Sequence, residues 1–383
     1  MDNTLTKLSQ KKVSDIHFVP ILIMPHHLVK MLDMMKNAFM IDIDITSIHA
    51  IPLALMQRLF IDFDTKFNHV IDSKFQQDVK NMDTGYTIDL TIGSDTVTIN
   101  FLYNRDDIGY ISAIIHAINT FCNMYPYSYH GLTINICLDD NVRQIPNGID
   151  ASNSNVFAQL QKMSGAFNVG GFTNRHDKII VLTKKEEIIK LLYHELIHYV
   201  ELDRAIACTD APNTNIHADS NLAITCSKIN LSEAYTEFVA VILTTAYQTL
   251  HLAGLYPTDI YQLYQSMLNA EYQYSIYLTS NILKFYNYNS NTYYNFFNGI
   301  GEKKHCPIYI WEYVLLRTQL LDNLSLVLDT LSSDFRLNNT NCQTIANYMK
   351  IDDKLIKKLS IYMDQPIDNH ISYMYYDIDW NSV

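Results

Sequence analysis

With 383 residues, 48% of them hydrophobic, the chain can bury a large core and exceeds the usual size of a single domain. Its 40 acidic against 28 basic residues, net charge -12, leave no basic surplus to neutralise phosphate, which argues against a nucleic-acid backbone or an anionic membrane as the main partner. The start MDNTLTKLSQKKVSD is polar, and the apolar run at 18 to 24 is interrupted by Pro20 and followed by Pro25. Neither a signal peptide nor a membrane span is readable, and an intracellular protein is expected. Six cysteines (122, 137, 208, 226, 306, 342) form no CxxC pair and read as reduced, mostly buried thiols, a Cys208 to Cys226 bridge being the minor alternative. Richness in Asn, Ile, Tyr and Asp fits an AT-rich genome such as that of a large DNA virus or a protist, a matter of codons rather than function.

Residues 1 to 85 read as mostly helical, with apolar clusters at 28 to 40 and 51 to 63 separated by the strand-like FMIDIDI at 39 to 45. From Tyr86 the pattern alternates as a hairpin: YTIDLTI, a turn at Gly93-Ser94-Asp95, then TVTINFLY. Residues 107 to 124 carry Ile108, Ile111, Ile114, Ile115 and Ile118 at helical spacing, a strand follows at 132 to 138, and a polar loop at 141 to 155. A second hairpin spans 170 to 182. Thr183 and Glu186 have the spacing of a capping box, which predicts a helix from Lys184 to about Arg204. The polar stretch 208 to 228 precedes a second strong helix starting near Asn230 or Ser232. Beyond Pro257 the chain reads as Tyr- and Leu-rich helices, including one from about 307 to 331, and after Ser332 as an appendage of one short helix and irregular chain. No internal repeat is evident.

His194-Glu195-Leu196-Ile197-His198 lies on the helix after the second hairpin. Glutamate occurs only nine times, so an accidental HExxH has a chance of roughly 1 in 100, and the motif is treated as meaningful. On a helix His194 and His198 share a face about 6 Å apart, within reach of one tetrahedral metal ion. Glu195, about 100° round the helix, stands beside that ion, where a carboxylate can take a proton from a water acidified by the cation and pass it to a leaving amine. A third ligand is needed, and Glu233 and Glu237, at i and i+4 on the next helix, are the best candidates: one to bind the metal, the other to orient a ligand histidine.

HELIH followed by Ser-Glu-Ala-Tyr-Thr-Glu-Phe-Val-Ala at 232 to 240 resembles the zincin metallopeptidases, specifically the gluzincins. The resemblance covers about 86 to 250 and implies an α+β fold: a twisted mixed sheet with a backing helix and the HExxH helix (86 to 205), then a mainly helical subdomain (206 to 332) holding the third ligand. Residues 1 to 85 and 333 to 383 fall outside it. It implies one Zn²⁺ per chain on His194, His198 and Glu233, Glu237 as support for a ligand histidine, and an edge strand at Gly171, Phe172 and Thr173 that takes extended peptide by strand addition. The implied activity is hydrolysis of peptide or protein substrates with Glu195 as general base, then acid. The alternative is an inactive zincin-like binding or structural protein.

The group that steadies the oxyanion is less well marked. No Tyr lies between Tyr199 and Tyr235, and the only His there is His217. Downstream candidates are His305 and Tyr309, with Tyr293 and Tyr294 behind them, while Arg317 is a candidate to hold a substrate carbonyl or carboxylate; the sequence does not choose among them. For the remaining groups the structural reading is preferred: Glu201 on an exposed helix face, His116 in or near the core, His176 in a turn, His26 and His27 at the surface.

Overall fold

The computed structural model describes residues 25 to 66, 74 to 143, 170 to 204, 222 to 224, 229 to 256, 258 to 303 and 310 to 382. Helix α1 (His26–Phe39) buries Leu28, Met31, Leu32, Met35 and Ala38, a three-and-four spacing that sets one stripe against the core. Strand β1 (Asp44–Ala50) follows, then α2 (Leu53–Lys66) and α3 (Phe75–Asn81). The strand expected at 39 to 45 therefore lies later: Phe39 still belongs to α1, whose apolar stripe runs to the helix end.

The first hairpin is β2 (Thr84–Ile92) and β3 (Asp95–Tyr103), closed by a two-residue turn in which Gly93 takes the positive φ of 61° that such turns demand. Helix α4 (Ile108–Met124) crosses to β4 (Thr133–Cys137), parallel to β3, as a parallel pair requires. The second hairpin is β5 (Gly171–Asn174) and β6 (Ile179–Leu182), with β6 parallel to β4 and β5 antiparallel to β6. The six strands run β1-β2-β3-β4-β6-β5, so β5 is an edge. The fold is α+β with a mixed sheet.

Alternation along the strands sorts two cores. Phe101, Ile136 and Leu182 face α1, α4 and the following helix, whereas Leu102, Cys137 and Val181 turn to the opposite face, where α2 and α3 cover them with Met56, Phe60, Phe75 and Val79. Pairing of β1 with β2 crosses the boundary expected at residue 85, so β1 belongs to the same sheet as the hairpin.

Helix α5 (Ile188–Tyr199) lies between the sheet and a helical half made of α6 (Leu231–Leu255), α7 (Ile260–Phe285), α8 (Tyr293–Phe297), a π-helical stretch at Trp311–Leu316 running on into α9 (Arg317–Asp322), α10 (Leu324–Thr330), α11 (Cys342–Tyr348) and α12 (Asp353–Met363). Among the described residues α6 is the helix long and apolar enough to cross a membrane, but 78% of its most apolar window is buried inside the protein, which makes it a core helix. Cys122, Cys137 and Cys342 are free and buried; Cys208, Cys226 and Cys306 lie outside the described residues.

The segment expected as an appendage is two helices and a strap that threads into the core. Ile371, Tyr373, Tyr375 and Ile378 are buried in the main cluster. Glu187 accepts from the backbone N–H groups of Tyr373 and Met374, and Glu271 from those of Tyr375 and Tyr376. Buried carboxylates thus satisfy backbone donors that no strand or helix would otherwise pair.

Candidate metal centre

The motif helix starts and ends later and earlier than its sequence suggests, and both differences shape the site. The capping box does not form. Thr183 Oγ1 donates to the Gly170 carbonyl at 3.3 Å, and Glu186 is drawn away to the Arg143 N–H (2.9 Å) and to His370 Nε2 (2.6 Å), so α5 begins at Ile188 rather than Lys184. At the other end Glu201 adopts a positive φ of 59°, with the Leu202 N–H on the Ile197 carbonyl and the Glu201 N–H on that of His198. This is a Schellman closure. It stops the helix at Tyr199 instead of Arg204 and swings Asp203 back under His198. Glu201 is not a helix-face residue but sits in this turn, paired with Arg175 and Arg204.

On α6, Asn230 caps the first turn by accepting from the Ser232 N–H at 3.1 Å. Glu233 and Glu237, four residues apart, face α5. His194 Nε2 lies 3.2 Å from Glu233 Oε2 and 3.2 Å from His198 Nε2, and His198 Nε2 lies 3.6 Å from Glu233 Oε2. Ligand bonds of about 2.0–2.1 Å place the donors of a tetrahedral ion about 3.3–3.4 Å apart. The three atoms therefore stand as three corners of such a tetrahedron, and His194, His198 and Glu233 can hold a metal ion.

The far side of each imidazole fits the same reading. His194 Nδ1 donates to Glu237 Oε2 at 3.1 Å and His198 Nδ1 to Asp203 Oδ2 at 2.9 Å. Carboxylates accept only, so each Nδ1 carries the hydrogen and each Nε2 turns a lone pair toward the other. Two lone pairs and a carboxylate oxygen converging in a buried place repel one another unless a cation stands between them. Burial alone would lower the basicity of both imidazoles, yet the neighbouring carboxylates of Glu233 and Glu237 raise that of His194, and Asp203 and Glu233 push that of His198 well above the ordinary histidine range. Glu233 and Glu237 resist the upward pull of burial and are held well below the usual carboxylate range, Glu233 by the two histidines and Glu237 by Lys190 and His194.

Glu195 points from α5 toward the edge strand. Thr173 Oγ1 lies 2.6 Å from its Oε2 and 3.0 Å from its carbonyl oxygen. Gly171 passes so close that a Cβ there would stand 2.5 Å from Glu195 Oε1. Burial raises the Glu195 pKa more than the neighbouring histidines and Thr173 lower it. Gly171 and Thr173 thus meet Glu195, while Phe172 turns to the opposite face and packs on Phe63 of α2.

Two expectations about other groups change, and a third is not reached by the described residues. Arg317 is fully buried and donates to the Tyr373 carbonyl (2.7 Å), Ser275 Oγ (3.0 Å) and Glu237 Oε1 (3.3 Å); it braces the interior and is not presented to a substrate. Tyr293 packs on Tyr294 and bonds Ser360, away from the histidines. His305, Tyr309 and His217 lie outside the described residues. Among the described residues, Tyr313, on the π-helical stretch, brings a phenol hydroxyl to the site: it donates to Glu233 Oε2 at 3.1 Å, with its ring edge-on to His194 at 5.6 Å. Burial, then the charges of Glu233, Glu237 and Glu195, keep it protonated. Asp203 was also missed, although a carboxylate five residues after the second histidine was a signal in plain view. His116 packs half-buried against Phe39, Tyr247 and His251, and His176 is exposed in the β5–β6 turn, as expected.

Fold and site together define a mixed-sheet α+β protein with a His₂Glu cluster on two packed helices. Its sequence is 40% identical, over 98% of each chain, to an uncharacterized protein of Acanthamoeba polyphaga mimivirus, and the chain belongs to that protein's family. The relative is viral, one of the two kinds of source to which the composition pointed. No family profile and no solved structure matches the chain.

Proposed function

We propose that the chain is a zinc-dependent metallopeptidase of the gluzincin kind, hydrolysing peptide bonds in peptide or protein substrates. The observation that carries the reading is the near-tetrahedral triangle of His194 Nε2, His198 Nε2 and Glu233 Oε2 with the Glu195 carboxylate beside it. Two imidazoles and one carboxylate, the three ligands found among the described residues, match the donor set of a catalytic rather than a structural zinc site. Zinc held there supplies Lewis acidity to the reacting groups. Glu195 then accepts the proton of the attacking water and returns it to the leaving amine, steadied for both tasks by the Thr173 hydroxyl. Tyr313, protonated and with its hydroxyl at Glu233 Oε2 beside the triangle, donates a hydrogen bond to the developing oxyanion, the part for which the sequence offered His305 and Tyr309. Extended substrate adds to the outer edge of β5, alongside Gly171 to Thr173.

The test is the zinc content of purified protein, followed by comparison of wild type and Glu195→Gln on a complex peptide mixture. Stoichiometric zinc lost in His194→Ala, and cleavage products absent from Glu195→Gln, are expected. A wild type without zinc, or the same products from both proteins, sinks the peptidase reading and leaves a binding protein on the same scaffold.

A further inference from the structure

We infer that Lys190 is a positioning residue of the metal centre, acting through Glu237 to fix the ring of His194; the inference rests on the reading of His194 as a metal ligand. Lys190, His194 and His198 follow at intervals of four on α5, so they share one face, and Glu233 and Glu237 answer them at the same interval from α6. The result is an alternating ladder between the two helices. Lys190 Nζ contacts both oxygens of Glu237, at 2.8 and 3.1 Å; Glu237 Oε2 takes the hydrogen of His194 Nδ1 at 3.1 Å; His194 Nε2 faces Glu233 at 3.2 Å. HExxH in this chain is thus the visible part of a longer pattern, KxxxHExxH.

Lys190 and Glu237 are both buried. An ammonium group costs several kcal/mol to bury and is not the cheapest way to fill such a space, so its placement calls for a task. That task follows from the two tautomers of His194. With Glu237 charged and acceptor-only, Nδ1 must carry the ring hydrogen and Nε2 is free to bind a metal. Held at both oxygens, Glu237 cannot turn away from Nδ1, so the ring keeps Nε2 toward Glu233 and His198. Arg317 also approaches Glu237, but only at 3.3 Å, and its shorter bonds go to Tyr373 and Ser275. Lys190 is the cation that grips both oxygens.

The experiment measures the Zn²⁺ dissociation constant of the full chain by competition with a chromophoric chelator, with the visible spectrum of the Co²⁺ form as a report on ligand geometry. Lys190→Met is expected to weaken Zn²⁺ binding at least tenfold, in the range typical of groups that support a ligand histidine. Lys190→Arg is expected to restore most of the loss. Glu237→Gln weakens binding similarly, and Lys190→Met added to it weakens binding no further, because the lysine acts only through the carboxylate. Lys190→Gln provides the same comparison without the charge if the methionine variant does not fold. Unchanged affinity in Lys190→Met or Lys190→Gln, or losses that add in the double variant, overturn the inference while zinc binding by the wild type still stands. A wild type that binds no Zn²⁺ overturns the metal reading itself.

Discussion

Replacing Gly171 by alanine adds one methyl group where β5 crosses the motif helix. The three nearest heavy atoms to that methyl would be Glu195 Oε1, Cγ and Cδ, at 2.5, 2.8 and 2.9 Å. All three lie beyond the Glu195 Cβ. Gly171 does not have the positive φ that an alanine would resist, so the backbone tolerates the change and the whole cost arises from one side chain. Glu195 cannot simply swing aside, since it is buried and Thr173 holds its Oε2 at 2.6 Å. Overpacking of this kind costs about 1–3 kcal/mol, and stretching a hydrogen bond to a charged acceptor adds to it, so Gly171→Ala is expected to destabilise the protein by about 2 kcal/mol in urea unfolding. In a Glu195→Ala background the three clashing atoms are gone, and the same substitution should cost less than about 0.5 kcal/mol. The coupling in the double-mutant cycle is therefore about 1.5 kcal/mol or more. Equal costs in the two backgrounds would show that β5 and the Glu195 carboxylate do not meet as described.

Asp203→Asn leaves an amide that serves His198 Nδ1 less well than a carboxylate, and is expected to weaken Zn²⁺ binding by about 10- to 100-fold in chelator competition. Tyr313→Phe should retain full zinc content while lowering kcat by about 10²- to 10³-fold with little change in KM; loss of zinc instead would make Tyr313 a structural prop of Glu233. Glu312, buried against the Asn230 N–H at 2.9 Å, has its carboxyl pushed up to about 7 by burial. A raised carboxyl pKa means that the folded state holds a proton that the unfolded chain gives up, so stability present below about pH 4.5 declines as the pH rises through 7. Glu312→Gln, neutral throughout, is expected to flatten that decline in urea unfolding between pH 5 and 8; an unchanged slope would show that Glu312 is not the group responsible.

The order of strands and helices from β2 to α5 was readable because each element is local: alternation marks the hairpins, and three-and-four spacing marks α4 and α5. The same holds for HELIH and for Glu233 and Glu237, whose spacing already matches two facing helices. What escaped notice depends on tertiary partners. Thr183 and Glu186 have the letters of a capping box, but Gly170, Arg143 and His370 compete for them and win. Asp203 acquires its place only through the left-handed turn at Glu201, a conformation that glutamate rarely signals. Tyr313 and Lys190 sit on stretches that read as ordinary helix, and only packing against α6 shows what they touch. Residues 370 to 376 carry no periodicity, since their backbone groups are satisfied by buried glutamates and not by a ladder.

That strap bears on when the site can come into being. Glu187, at the head of the motif helix, meets the N–H of Tyr373 across 186 residues of chain, and Arg317 ties the Tyr373 carbonyl to Glu237. Contacts of such separation close late in folding, after the local hairpins and helices have formed. During synthesis, at about 5–20 residues per second, HELIH leaves the ribosome some ten seconds or more before its anchor does. A centre braced in this way is complete only once residue 373 has folded back onto the head of α5, so its assembly waits on one of the longest-range closures of the fold.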